Sequence, residues 1–256
     1  MRKLGPLVRR EALQLLSFKT LLVGHVVQPV AWLALYSVGV AGLIGPFLYR
    51  GVSIRYLEFV VPGLLALQGF NQFGYTLSRV ADEKRHGMFR AVLMSGISPM
   101  EYVTTKAIMS VVVVALQSAG ITAMSCLLLG ATPSQLGVRP ETVFLQMMGV
   151  VFWSNLGASL GTSLCSAEKS SVAVTLLGLP VIFTGSVFYD SGGTAAVVRI
   201  LSRVNPLTHF SCAIRSSMLF GEVMPTAYFA LTVLTVLSVA LARLAVAATD
   251  LVTIEK

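Results

Sequence analysis

RVADEKRHGMFRAVLMSGISPMEYVTTK, residues Arg79 to Lys106, is the most densely charged stretch of the chain and lies between two long apolar runs. Its cations are Arg79, Lys84, Arg85, Arg90 and Lys106; its acids are Asp82, Glu83 and Glu101. Within it, Met88, Phe89, Val92, Leu93 and Ile97 fall near i, i+3, i+4 spacing. That spacing predicts a short amphipathic helix from about His86 to Met94, broken by Gly96. Ser98-Pro99-Met100-Glu101 then combines helix-start signals. Ser98 can accept from the amide of Glu101, Glu101 can reach back to the amide of Ser98, and Pro99 suits the first helical position. A new helix therefore begins at Ser98. Read alone, the stretch is a polar handle on the cytoplasmic side of a membrane protein, where a partner grips.

Composition supports the membrane setting. The chain has 256 residues, 55% of them hydrophobic and 12% charged, with mean hydropathy +0.80. Soluble domains carry about 25% charged residues. A chain with half that complement cannot cover a globule with polar surface, and the bilayer must be its solvent. The net charge of +8 suggests nucleic acid, but the basic residues sit between apolar runs and form no continuous face. No nucleic-acid partner is expected. Lys and Arg accumulate in cytoplasmic loops, so the charge reports orientation. Cys126, Cys165 and Cys212 are widely spaced and odd in number; they form no metal or disulfide pattern and read as packing residues.

Outward from the charged stretch, the sequence predicts an all-α membrane protein with six transmembrane helices. Residues 1–20 carry Arg2, Lys3, Arg9, Arg10 and Lys19 opposite Leu4, Leu7, Val8, Ala12, Leu15, Leu16 and Phe18, with Glu11 and Lys19 intruding. This predicts a helix lying in the membrane interface, apolar side down. The apolar run after it is too long for a signal peptide, so the segment is expected to stay in the mature protein. Spans are predicted at about 21–44, 57–77, 105–129, 142–164, 171–188 and 227–248, in one permease-sized domain with no soluble module. The second span holds Gln68, Asn71 and Gln72; polar groups at that depth face other helices or a wet cavity, here a candidate substrate path. Gly157 and Gly161 form a GxxxG, read as internal packing or as an interface between chains. Residues 189–222 hold two apolar pieces, each too short to span, around Asn205-Pro206; they predict re-entrant or interfacial helices. An even number of spans puts both termini on one side. With those termini inside, thirteen Lys/Arg lie inside and six outside, which favours cytoplasmic termini in a cell (inner) membrane.

Several chemistries are missing from the sequence. There is no GxxxxGK[ST] loop, no HExxH and no GxSxG. His25, His86 and His209 lie far apart in sequence. Away from their ends, the predicted spans contain no carboxylate, which disfavours a proton-driven carrier. What remains is a channel, a scaffold, or a transporter half powered by another chain.

The order of these features resembles the permease subunits of type-2 ABC exporters. Arg85-His86-Gly87 through Ser98-Pro99 to Lys106 resembles that family's R-x-G…(S/T)-P…K coupling loop. Asn205-Pro206-Leu207-Thr208-His209 to Arg215 resembles its N-P-L-T…A-h-R segment before the last span. The chain departs from the pattern at Met88-Phe89-Arg90, where the family has an acid after the glycine. It departs again at Tyr189-Asp190, which lacks the family's common proline. The resemblance implies that two permease chains, expected to be identical, pair with two copies of a separate ABC ATP-binding subunit, which binds the ATP and Mg. This chain then needs no cofactor of its own and is no enzyme. The coupling residues would be Arg85, His86, Gly87, Met88, Phe89, Arg90, Val92 and Leu93, with Phe89, Val92 and Leu93 as apolar anchors. Asn205, Pro206, His209 and Arg215 would form the outer gate. The cargo would be amphiphilic: a drug-like molecule, a lipid-linked glycan or a peptide, leaning to the drug and lipo-oligosaccharide branch. The competing expectation is a membrane anchor or assembly scaffold that transports nothing.

Overall fold

Ser98 starts a helix as its sequence context requires. Its hydroxyl accepts from the Glu101 amide at 3.2 Å, its own amide donates to Glu101 Oε2 at 3.0 Å, and Pro99 takes the first position. The same local logic applies along the chain of this computed structural model, which describes residues 4–17, 19–40, 43–164 and 166–254. Arg2, Lys3, Phe18, Cys165 and Lys256 lie outside the described residues, as do the side chains of Lys19 and His25. The described helices are α1 (Leu4–Ser17), α2 (Lys19–Gly39), α3 (Tyr56–Arg85), α4 (Met88–Met94), α5 (Pro99–Leu129), α6 (Pro140–Ser163), α7 (Ala167–Thr184), α8 (Ala196–Val204), α9 (Pro206–Phe220) and α10 (Pro225–Ile254). A small antiparallel hairpin, β1 (Phe47–Tyr49) and β2 (Val52–Ile54), joins α2 to α3.

Among the described residues, three helical stretches are long and apolar enough to cross a membrane: Pro99–Leu129, Pro140–Ser163 and Pro225–Thr249. Helix α3 continues past the predicted second span into the charged stretch. Its 30 residues extend about 45 Å at 1.5 Å per residue, against a hydrocarbon core of about 30 Å. Arg79 to Arg85 form its last turns. The charged stretch is divided among three helices: the end of α3, all of α4, and the start of α5.

Helices α3 and α6 form the central seam. A Cβ on Gly157 would come within 2.4 Å of the Phe73 carbonyl oxygen, and one on Gly161 within 2.8 Å of that of Leu77. The GxxxG is thus an internal packing surface that brings two backbones together. Beside it, Phe70, Phe152, Trp153 and Phe210 interlock, with Phe70–Trp153 and Phe152–Trp153 edge-to-face at 4.8 and 4.9 Å and Phe152–Phe210 at 5.6 Å. A second, smaller apolar cluster lies at the end of the bundle that holds α1 and α4; it joins Leu7, Val80, Phe89, Tyr102, Ala158 and Val246 from six helices.

Candidate functional site

Helix α4 is set at a sharp corner. Gly87 ends α3 and precedes α4 with φ +72°, a left-handed conformation that side chains disfavour. The corner turns α4 back onto the bundle. Phe89, Val92 and Leu93 are 3%, 7% and 8% exposed, and Phe89 meets the Tyr102 ring edge-on at 5.3 Å. The side chains expected to anchor a partner are therefore the ones that anchor α4 to its own chain. The outward face carries Met88, Arg90 and Met94, the last 77% exposed, with Arg85, His86 and Gly87 exposed beside it. A cavity of about 540 Å³ lies alongside, lined by Pro6, Leu7 and Arg10 of α1 and by Met88, Ala91 and Val92 of α4.

Behind α4 lies a charge network that sequence reasoning missed. Lys106 Nζ donates to Glu83 Oε1 at 2.6 Å and to Glu11 Oε1 at 3.0 Å. Tyr102 donates to Glu83 Oε2 at 2.6 Å. Arg10 reaches Glu11 at 2.7 Å and Glu83 at 3.4 Å. Arg79 reaches Glu11 at 3.2 Å and Gln14 at 2.7 Å. Glu11, Glu83 and Lys106 are all buried. Glu11, which spoils the amphipathic pattern of α1, is with Leu7 the residue that α1 buries. Helix α1 is therefore fastened to α3 and α5 by ion pairs as well as by its apolar side. Burial alone would raise the pKa of Glu11, but Lys106 beside it, then Arg10 and Arg79, hold it down at about 2. The one available signal was the misfit itself: an acid on the wrong side of an amphipathic helix needs a cation to face.

The polar residues of α3 are turned to the interior. Gln68 and Gln72 are buried and Asn71 is half-buried. Gln68 Nε2 donates to the Leu64 carbonyl one turn back at 3.4 Å, and Asn71 Nδ2 to Gln68 Oε1 at 3.4 Å. Gln72 Oε1 is buried without a hydrogen-bond partner among the described residues. Deeper along the seam, Thr76, Ser110 and Ser154 form a triangle of hydroxyls with sides of 3.4, 3.2 and 3.1 Å.

At the opposite end, Asn205 and Pro206 make the corner between α8 and α9. Asn205 Oδ1 caps α9 at the Leu207 amide, 2.9 Å, while Nδ2 donates to the Val181 carbonyl at 2.7 Å and to Thr184 Oγ1 at 2.9 Å. The corner is thereby pinned to the end of α7. His209 is exposed, with Nε2 2.8 Å from the Arg203 carbonyl oxygen. Arg215 is 1% exposed. Its guanidinium stacks 3.7 Å from the centre of the Phe59 ring. It donates to the carbonyls of Phe59 at 3.0 Å, Ser186 at 2.6 Å and Val187 at 3.3 Å. Asn205 is thus tied to the last turn of α7 and Arg215 to the residues just after it, whereas His209 faces outward.

A bundle with lipid-suited outer faces, a polar interior seam and a charge-locked terminal helix set defines a multi-pass helical membrane protein. The chain belongs to the ABC-2 type transporter family, which it matches over residues 3–219, from the start of α1 to the last turn of α9. It is accordingly a permease component of an ABC transporter, a component without an ATP-binding site, and membership implies a separate ATP-binding subunit. No curated protein matches the chain.

Proposed function

We propose that this chain is the membrane permease of an ATP-driven exporter for an amphiphilic cargo, working as a pair of identical chains on two copies of a separate ATP-binding subunit that holds ATP and Mg. Six helices, α2, α3, α5, α6, α7 and α10, would cross the bilayer, with both termini in the cytoplasm. The observation that carries the reading is the two-faced seating of α4. Its inward face is packed on Tyr102, next to the ion pairs that bind α1, α3 and α5. Its outward face, Met88, Arg90 and Met94, is open. A push on that outward face would move three helices at once, because a partner that displaced α4 would have to displace Tyr102 and hence Glu83. The docking surface is thus assigned to Met88, Arg90 and Met94, with Arg85, His86 and Gly87 at its rim; Phe89, Val92 and Leu93 transmit rather than dock.

The test is co-purification. The pair Arg90→Glu and Met94→Asp should lower recovery of the ATP-binding subunit by about tenfold or more, since it puts unpaired carboxylates where a docked partner would cover them. The thermal midpoint of the permease should be unchanged, because both side chains are exposed. Wild-type recovery in that variant would refute the docking face. A scaffold that transports nothing is the second reading, favoured by the inward, within-helix hydrogen bonding of Gln68. Replacing half-buried Asn71 by Ala separates the two: altered cargo preference at unchanged expression supports the exporter, and a change in stability alone supports the scaffold.

A further inference from the structure

Opposite the coupling end, a cleft of about 630 Å³ opens between α9 and α10, within the size range of small-ligand sites. One wall is a face of α9: His209, Cys212, Ala213, Ser216 and Phe220. These positions extend over about 16 Å of helix. The other wall is a stripe of α10: Ala227, Ala230, Leu231 and Leu234. The long walls are mostly apolar. The charged groups that line it are Arg50 and Glu222, both exposed, with the titratable His209 toward the start of α9.

Arg50 is held in an unusual way. It sits in the hairpin turn with φ +49°, the only positive φ at a non-glycine position among the described residues. A left-handed residue with a side chain costs about 1–2 kcal/mol. The next residue, Gly51, also has positive φ (+81°), so the turn is of the type in which Asn, Asp or Gly would stand at position 50 without that cost. The Arg50 guanidinium lies 5.7 Å from the Tyr49 ring centre and 5.8 Å from that of Phe220, and it donates to Ser216 Oγ at 3.1 Å. Behind it, the buried Arg215 guanidinium stands 5.9 Å from the same Tyr49 ring. Among the described residues no carboxylate pairs with Arg50, and Glu222, which lines the same cleft, is not within ion-pair distance. The cation of the cleft is therefore a positioned guanidinium without an ion pair among the described residues, above an apolar slot that the Glu222 carboxylate also lines.

The geometry points to a binding site for an amphiphile whose head carries an anionic group, phosphate or carboxylate, seated on Arg50, with its tail lying between Ala213 and Leu231. The shared chemistry fits either a resident anionic phospholipid or a free anionic amphiphile. Glu222 opposes the anion and tunes the site from its edge. The inference needs the chain to be membrane-embedded and does not depend on docking of an ATP-binding subunit, so the two readings fail separately.

The experiment is native mass spectrometry of the purified full chain in maltoside micelles, with dioleoyl phosphatidylglycerol and dioleoyl phosphatidylcholine added in turn. The wild type should retain phosphatidylglycerol in preference. Arg50→Gln should weaken that retention about tenfold, the scale of a lost charge-assisted contact, and Arg50→Lys should keep most of it. Glu222→Gln should strengthen it. Ala230→Trp, which fills the cleft from an exposed position, should abolish it, whereas Phe229→Trp on the outer side of α10 should not. A phospholipid adduct already present before addition identifies a resident lipid. A clean chain that binds dodecyl phosphate but not dodecyltrimethylammonium identifies a free amphiphile site. Equal retention of the two phospholipids by the wild type, or undiminished retention in Arg50→Gln or Ala230→Trp, overturns the proposal.

Discussion

Glu83 accepts from three donors on two other helices: Lys106 and Tyr102 of α5 and Arg10 of α1. A buried ion pair contributes little net stability when intact, because desolvation offsets the attraction, but deleting one partner strands the other. Glu83→Gln should therefore destabilise the chain by about 3–5 kcal/mol, read as a fall in the thermal midpoint in detergent. An unchanged midpoint in Glu83→Gln would mean that the network is loose. Glu11 gives the pH dependence. Its pKa is held at about 2, below its usual 4.5. A depressed carboxylate contributes stability that is fully present above the unfolded value and lost as pH falls through the folded one. The difference in midpoint between wild type and Glu11→Gln should thus be constant from pH 8 to about 5 and shrink from about 4.5 toward 2. A difference that changed near neutrality would contradict the ion-pair assignment.

Among the elements, the α3–α6 seam makes the sharpest demand. Gly157→Ala would place a methyl group 2.4 Å from a backbone oxygen, whereas at Gly178 the nearest atom, Phe70 Cζ, is 3.9 Å away. Overpacking of this kind costs about 1–3 kcal/mol. Gly157→Ala should lower the thermal midpoint accordingly and Gly178→Ala should leave it nearly unchanged; equal effects would deny the close approach. This scale also shows what the sequence could and could not reveal. The Ser98–Glu101 cap, the Asn205-Pro206 corner and the short helix near Met88 were legible because each is encoded within a few residues. The face that α4 buries was not, since Phe89, Val92 and Leu93 make an apolar stripe whether they meet a partner or their own bundle. The GxxxG was likewise neutral between an internal seam and an interface between chains. The charge network was least legible: Lys106 and Arg79 meet Glu11 across 95 and 68 residues, a distance over which local pattern carries no information.

At the scale of the whole molecule, the two ends are chemically unequal. One end gathers α1, α4, the last turns of α3 and the start of α5, with Arg10, Arg79, Lys84, Arg85, Arg90 and Lys106. Lys84 is tied there to the Thr162 carbonyl at the end of α6. The other end gathers the β-hairpin, the α5–α6 loop and the tail of α9, where Arg139 donates to the Ser217 carbonyl at 3.3 Å and Arg50 to Ser216. Because Lys and Arg are retained in the cytoplasm, the richer end should face inward, and the poorer end, with its cleft, should face outward. Leu48, 75% exposed on the hairpin, and Met94, 77% exposed on α4, report on the two ends without disturbing the core. In a background lacking Cys126, Cys165 and Cys212, a cysteine at position 48 should react with a membrane-impermeant thiol reagent in intact cells. A cysteine at position 94 should react only after permeabilisation. The reverse pattern would invert the molecule, placing α4 out of reach of any cytoplasmic ATP-binding subunit and removing the basis for coupling through Tyr102 and Glu83. Labelling of both positions from one side would instead mean that the hairpin and α4 do not lie on opposite faces of the bilayer.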